Sequence, residues 1–501
     1  MLVCNANSSN NLFMILKPKI VIIGAGSLSH GKRLIDDLLT IEEFSEGSLF
    51  LVGKHLPSLK VIGSYAERVA RILKPCIKII ETDELSFALD GADIVITTFD
   101  VGGYAAFNRD FSIIRNYHLD ACIGDTAGPL GAFRALRNGA LMAKIAQTMK
   151  EECPQALLIN YSNPMAPLIS IASGYNISSI GICGGIEATR TYVSNILGIE
   201  KDMLQMHFAG INHLCWLLDI QGKEGDLYPR FRALMQNPEI RGNEAVRFEI
   251  LQQFGYFVSE SSGHISDFFS YFRRNDELRN RYCSSPGYSG SSGAYLKLLS
   301  FLHRRIGNVD YLEGAQPNRK RSSDHGISVI EAWITNKGCS VYGNVMNSNS
   351  NRAPALPNLP VSSCVEIPIE LNGQEICIPQ GIHLPVELAS LCTPLALEHI
   401  LVAESLMEMN VEKIFAALAI DPLTSSILDL PSIRKLTADL LAANKEWLPS
   451  SLAEQPLRAT VEVRSTNKIT HKTGESPELD LVRNYERCRK TRKANYEPNH
   501  D

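Results

Sequence analysis

The stretch Lys19-Ile20-Val21-Ile22-Ile23-Gly24-Ala25-Gly26-Ser27 decides how the chain is read. Its β-branched residues run without polar alternation, so the strand they form is apolar on both faces, as in a parallel sheet covered by helices on each side. Gly24 suits a tight turn at the end of that strand, and Gly26 lets the backbone approach a pyrophosphate at the N-terminus of the next helix. Ser29 stands where a third glycine is expected, and Gly31 comes two positions later. G-x-G alone marks any tight turn; in the first strand-to-helix turn of an alternating domain it points to a dinucleotide. Gly24, Gly26 and Ser27, with Asp100 and Asn163 from later strand ends, are the expected contacts of an NAD cofactor.

Outward from this turn, β-branched runs recur at residues 49–52, 77–82, 94–99, 157–160 and 180–183, with helical patterns at 28–39, 59–73 and 131–152 between them. Strand and helix in alternation describe an α/β fold with a Rossmann-like doubly wound parallel sheet over residues 17–200. Residues 201–450 read as an α+β domain for substrate, metal and oligomerisation. Strands are expected there at 206–209, 214–220, 364–369 and 375–379, helices at 245–254, 295–303, 395–407 and 432–443, and a Pro/Asn-rich loop at 347–360. Residues 453–501 are polar, with a basic cluster at Arg483, Arg487, Arg489, Lys490, Arg492 and Lys493, and read as a solvated tail.

At roughly one domain per 150 residues, 501 residues suggest two or three domains. Hydrophobic residues at 45% and charged ones at 21% exclude a mainly disordered or collagen-like chain. A formal net charge of −5 gives no basic field for nucleic acid or an anionic membrane. No apolar run reaches the roughly 18 residues that suggest a membrane span. The first nineteen residues have no basic residue before their apolar patch, which makes a poor signal peptide. The twelve cysteines never form C-x-x-C and lack disulfide-scaffold spacing. A soluble, cytoplasmic protein in a reducing compartment is expected, with a small molecule as partner and neither nucleic acid nor membrane.

The second strand ends Leu51-Val52-Gly53-Lys54-His55, without the acid that holds a ribose diol, so NADP is possible beside NAD. In such sheets ligands sit at the carboxyl ends of the strands. Those ends carry Asp100, then Gly124-Asp125-Thr126-Ala127-Gly128-Pro129, Asn163-Pro164, Cys183 and finally Asn212-His213. A thiolate and an imidazole delivered to one rim suit a borderline cation, Mn²⁺, Fe²⁺, Co²⁺ or Zn²⁺. Cys183 and His213 are the expected metal ligands, and Asn163, Asp125 and Asn212 the expected substrate contacts. A buried strand-end Cys and a turn His are also common structural residues.

Several blocks occur together in one order: the glycine turn, Gly128-Pro129-x-Gly131 through Arg137, Asn163-Pro164, Gly181-x-Cys183 and Gly210-Ile211-Asn212-His213. Beyond them come Gly255-Tyr256-Phe257-x-x-Glu260-Ser261-Ser262-x-His264, Asn344-x-x-Asn347, Leu359-Pro360 through Val365-Glu366-x-Pro368, and Ala419-x-Asp421-Pro422. Over about residues 19–449 the chain thereby resembles glycoside hydrolase family 4, the NAD- and manganese-dependent glycosidases. The Glu-Ser-Ser-x-His block resembles its α-galactosidase/α-glucuronidase branch. The resemblance implies a lactate dehydrogenase-like architecture, a homodimer or homotetramer, and a reaction that departs from the usual two-carboxylate scheme. In that reaction NAD⁺ oxidises the sugar C3 hydroxyl, a base removes the acidified C2 proton, and a divalent metal stabilises the enediolate. The aglycone is then eliminated, water adds and the hydride returns. Cys183 and His213 align with the metal ligands, and Asn163 with a residue that binds sugar hydroxyls.

Three positions depart from the family pattern. Gly184 stands where Asp, Asn or His comes after the metal Cys, Phe107 where a substrate-binding Arg is usual, and Phe268 where a Tyr serves as the C2 base. A phenyl ring accepts no proton. Tyr271, His264 and Asp267 are therefore the expected catalytic residues, with Tyr288 a lesser candidate. The departures also admit a sugar dehydrogenase or epimerase that stops at the 3-keto sugar, or a catalytically impaired relative with a binding role.

Overall fold

The computed structural model describes residues 14–26, 30–306, 312, 314–322, 324–348 and 352–461. Ser27 and the basic cluster of the tail lie outside the described residues.

The first strands are β1 (Lys19–Ile23), β2 (Gly47–Val52), β3 (Ile77–Thr82), β4 (Ile94–Thr97), β5 (Leu157–Asn160) and β6 (Ser179–Gly181). They pair in parallel in the order β3-β2-β1-β4-β5-β6, a doubly wound sheet. The unbroken apolar run of β1 has the cause inferred from its sequence. Ile20 and Ile22 enter the core on one face with Leu34, Leu38 and Tyr65, while Val21 and Ile23 enter the core on the other with Phe133, Leu136 and Met142. Burying each such side chain contributes about 1.5–3 kcal/mol.

At the β1 turn Gly24 has φ +92°, and a β-carbon there would lie 2.7 Å from the backbone of Thr98 and Phe99. The fingerprint glycine missing at Ser29 is replaced in its packing role by Gly31, where a β-carbon would overlap the Ala25 carbonyl. His55, at the end of the second strand, caps the next helix: its Nδ1 accepts from Ser58 N–H at 3.3 Å at the start of Leu56–Leu73.

The sheet does not end at residue 200. It continues through β7 (Gln205–Ile211), β8 (Leu214–Gly222), β9 (Gly225–Asp226), β10 (Phe257–Val258), β11 (Gly338–Met346), β12 (Cys364–Asn372) and β13 (Glu375–Cys377). β11 joins antiparallel to β6, with Asn344 opposite Gly181, and the order runs on through β12, β7, β8 and β10, so that among the described residues thirteen strands form one sheet. The two expected domains thus share a sheet, and the described residues up to 457 form one compact unit. Strand β11 is not among the expected strands. Its Gly343 and Asn344 interrupt the β-branched signal, and Gly343 is small because Ile180 and Ile369 press on it. The helix expected at 395–407 begins earlier, at Val386, and runs to Met407. It has the length and hydropathy of a membrane span, but it packs on the helices Gly128–Glu152 and Met165–Gly174 as part of the core.

Candidate active site

Parallel strands ending at one edge bring the residues beyond them to one rim. Cys183 lies two residues beyond β6, and Asn212-His213 forms the turn between β7 and β8, His213 taking φ +64°. Glu260, two residues beyond β10, also has positive φ, at +70°. Cys183 Sγ, one nitrogen of His213 and a carboxylate oxygen of Glu260 all lie within 4.8 Å of one another. Cys183 Sγ is 3.6 Å from Glu260 Oε1, and His213 Nε2 is 3.9 Å from the same atom. The neighbouring glycine makes this possible: a β-carbon on Gly185 would overlap Glu260 Oε1. Sulfur, nitrogen and oxygen donors at this spacing fit a borderline divalent cation.

The hydrogen bonds orient His213 for that role. Thr126 Oγ1 has one proton and donates it to Asp125 Oδ1 at 2.9 Å. It therefore accepts at 2.7 Å from His213 Nδ1, which carries the ring proton and leaves the Nε2 lone pair toward Cys183 and Glu260. Such outer partners fix the tautomer of a ligating histidine. Burial, with the carboxylates of Glu366 and Glu260, pushes the Cys183 thiol well up, so a bound cation is what would ionise it.

Asp125, His213 and His264 form a second, overlapping group. Here His264 is committed as a cation. Burial opposes its charge, but Asp125 Oδ1 at 3.0 Å and Glu260 Oε2 at 3.5 Å prevail and push it up to about 10. Burial also raises the carboxyl of Asp125, yet His264, His213 and Arg134 hold it well below the usual range. Glu260 is likewise brought down to about 2, its burial outweighed by His213 and His264. A protonated imidazole offers no lone pair to a metal, which favours the group containing Cys183. Phe268, the ring in place of tyrosine, packs against His264 with centroids 5.2 Å apart.

Asn163 Nδ2 donates to Asp125 Oδ2 at 2.9 Å, leaving its buried Oδ1 without a partner among the described residues. Asn212 is fully buried, and neither of its amide atoms has a partner among the described residues. Buried polar atoms of this kind call for a ligand or water. Asp100, expected at the cofactor, is held by Arg134 Nε at 3.1 Å, and Arg134 also reaches Tyr295 OH at 3.0 Å. Phe107, in place of arginine, is buried against Tyr295.

Two of the expected catalytic residues sit in other surroundings. Asp267 is not a free acid: its carboxylate accepts the N–H groups of Cys122, Ile123 and Gly124 at 2.8–3.0 Å and faces Arg273 at 3.5 Å, anchoring the loop that carries Asp125. Tyr271 is 50% exposed, its ring against Phe269 and Phe272. Tyr271→Phe is therefore expected to leave kcat/KM within about twofold. Asp267→Asn should cost about 3 kcal/mol in denaturant unfolding, the scale of breaking a buried ion pair. Glu260, Thr126 and Arg134 are site residues that the sequence does not single out. Glu260 and Thr126 lie inside recognisable blocks, but nothing in their spacing signals a shared rim.

Two family models match the chain, Family 4 glycosyl hydrolase over residues 19–199 and Family 4 glycosyl hydrolase C-terminal domain over 208–424. An alpha-galactosidase of Bacillus subtilis (strain 168) is 31% identical over 444 residues, 86% of this chain and 99% of that protein. An alpha-galactosidase of Rhizobium meliloti (strain 1021) is 28% identical over 467 residues, 89% of this chain and 93% of that one. In fold, the chain is similar to a 6-phospho-alpha-glucosidase from gut microorganisms, solved in complex with NAD and Mn²⁺. The TM-score is 0.70 at 18% identity, covering 86% of this chain and 99% of that one.

Proposed function

The chain belongs to glycosyl hydrolase family 4, and from that premise we propose that it cleaves an α-galactoside or α-galacturonide link with NAD and a divalent cation, Mn²⁺ first, at the rim around Cys183. The observation that carries this reading is the convergence of Cys183, His213 and Glu260 within 4.8 Å. When bound, NAD supplies a reversible hydride acceptor and the cation a Lewis acid beside the sugar hydroxyls. The Gly24 turn gives the dinucleotide its close approach. Cys183, His213 and Glu260 hold the cation, and Asn163 and Asn212 bring unpartnered amide atoms to sugar oxygens. The His264–Asp125 pair, with the carboxylate ionised and the imidazole protonated, can donate a proton at the sugar and offset negative charge there, but it cannot take a proton from it. The free thiols suit a reducing, cytoplasmic setting.

Gly184 favours a second reading. With no side chain there to assist departure of the aglycone, the oxidation can stop at the keto sugar, as in a sugar dehydrogenase. One experiment separates the two. Nitrophenyl α-galactoside and α-galacturonide are incubated with NAD⁺, Mn²⁺ and a thiol reductant, and nitrophenol and NADH are measured together. Nitrophenol release that needs both additions, without net NADH, is the expected result. NADH formed in step with sugar consumed selects the second reading, and neither product overturns both.

A further inference from the structure

We propose that His399 is a positioning residue for the cation site, acting through Thr126 to set the tautomer and aim of His213; this rests on the cation-binding reading above. His399 lies on the helix Val386–Met407, remote in sequence from the rim, and is buried. Its Nε2 lies 3.0 Å from the carbonyl oxygen of Thr126. A carbonyl only accepts, so Nε2 carries the proton and His399 donates. Its Nδ1 has no partner among the described residues, so the ring is committed to this one hydrogen bond.

The Thr126 hydroxyl takes the Nδ1 proton of His213, and its own proton goes to Asp125. The loop bearing these residues is held at 122–124 by Asp267 and at 126 by His399. Asp267 fixes where the loop starts, and His399 fixes the carbonyl of the residue that touches His213. Without that second hold the Thr126 carbonyl loses its imidazole partner, the hydroxyl can shift from Nδ1, and the His213 proton can move to Nε2, where it blocks the cation. Outer partners of this kind are worth about 10–100-fold in metal affinity.

The test uses the full chain labelled with ¹⁵N-histidine. Long-range proton–nitrogen spectra of the metal-free protein report the His213 tautomer, electron paramagnetic resonance gives Mn²⁺ affinity, and NAD⁺ affinity is the control. His399→Phe, which keeps a ring but no donor, should shift His213 from the Nδ1–H form and weaken Mn²⁺ about 10–100-fold, with NAD⁺ binding unmoved. His399→Gln, which keeps an N–H, should restore both to within about threefold. Thr126→Val, which breaks the same chain one link later, should match His399→Phe even if that variant folds poorly. A His399→Phe protein with wild-type tautomer and affinity overturns the proposal, as does a glutamine variant that restores neither. If the wild type binds no Mn²⁺, the proposed function fails on that result alone, and the tautomer comparison still decides the role of His399.

Discussion

Cys183→Ser is expected to lower Mn²⁺-supported kcat/KM by about 10³-fold or more, roughly 4 kcal/mol of barrier, with no recovery in excess Mn²⁺. Serine keeps the size of the side chain but replaces a polarizable donor, ionised by the cation, with a hydroxyl that stays neutral. The geometry adds a second consequence. Cys183 Sγ accepts the Gly185 amide at 3.4 Å and lies 3.6 Å from Glu260, so the sulfur organises the start of the helix Gly185–Leu197 and one carboxylate ligand together. Steady-state rates across a manganese titration check this, with NAD⁺ affinity expected to stay within about twofold. A serine variant restored by metal alone would mean that Cys183 only tunes affinity.

The second large effect comes from two adjacent glycines that look interchangeable in sequence. At Gly185 a methyl group would overlap Glu260 Oε1, so Gly185→Ala must drive that carboxylate away from His213 and Cys183. Loss of one oxygen ligand should weaken Mn²⁺ at least about tenfold, with activity falling in parallel. At Gly184 a β-carbon meets nothing within 4 Å and φ is −85°, an ordinary helical value, so Gly184→Ala should be silent in both stability and metal binding. Equal effects at the two positions would show that the turn tolerates no side chain at all, and that Glu260 is not what Gly185 makes room for.

The doubly wound half of the sheet is legible because its strands are buried on both faces and so read as continuous apolar runs. Strand β11 is not, since its pairing with β6 and β12 comes from contacts distant in sequence and its glycine is imposed by neighbouring isoleucines. Asn163, Cys183 and His213 are legible because each stands just beyond the carboxyl end of a strand, and the sheet topology does bring them, with Asp125, to one rim. Glu260 escapes because its approach depends on a positive φ and on the absence of a side chain at residue 185, neither of which leaves a periodic trace. Asp267 and Tyr271 are candidates in sequence only through their nearness to Phe268 in the chain. What decides Asp267 is a loop 143–145 residues away, whose amides it binds, and Tyr271 lies on a short helix that turns it to solvent.

Cobalt substitution decides whether a thiolate, an imidazole and a carboxylate share one cation. Co²⁺ bound at this site should show a thiolate-to-metal charge-transfer band that disappears in Cys183→Ser while one equivalent of cobalt remains measurable in the wild type. Cobalt bound stoichiometrically without that band, or a band that survives in the serine variant, would contradict it.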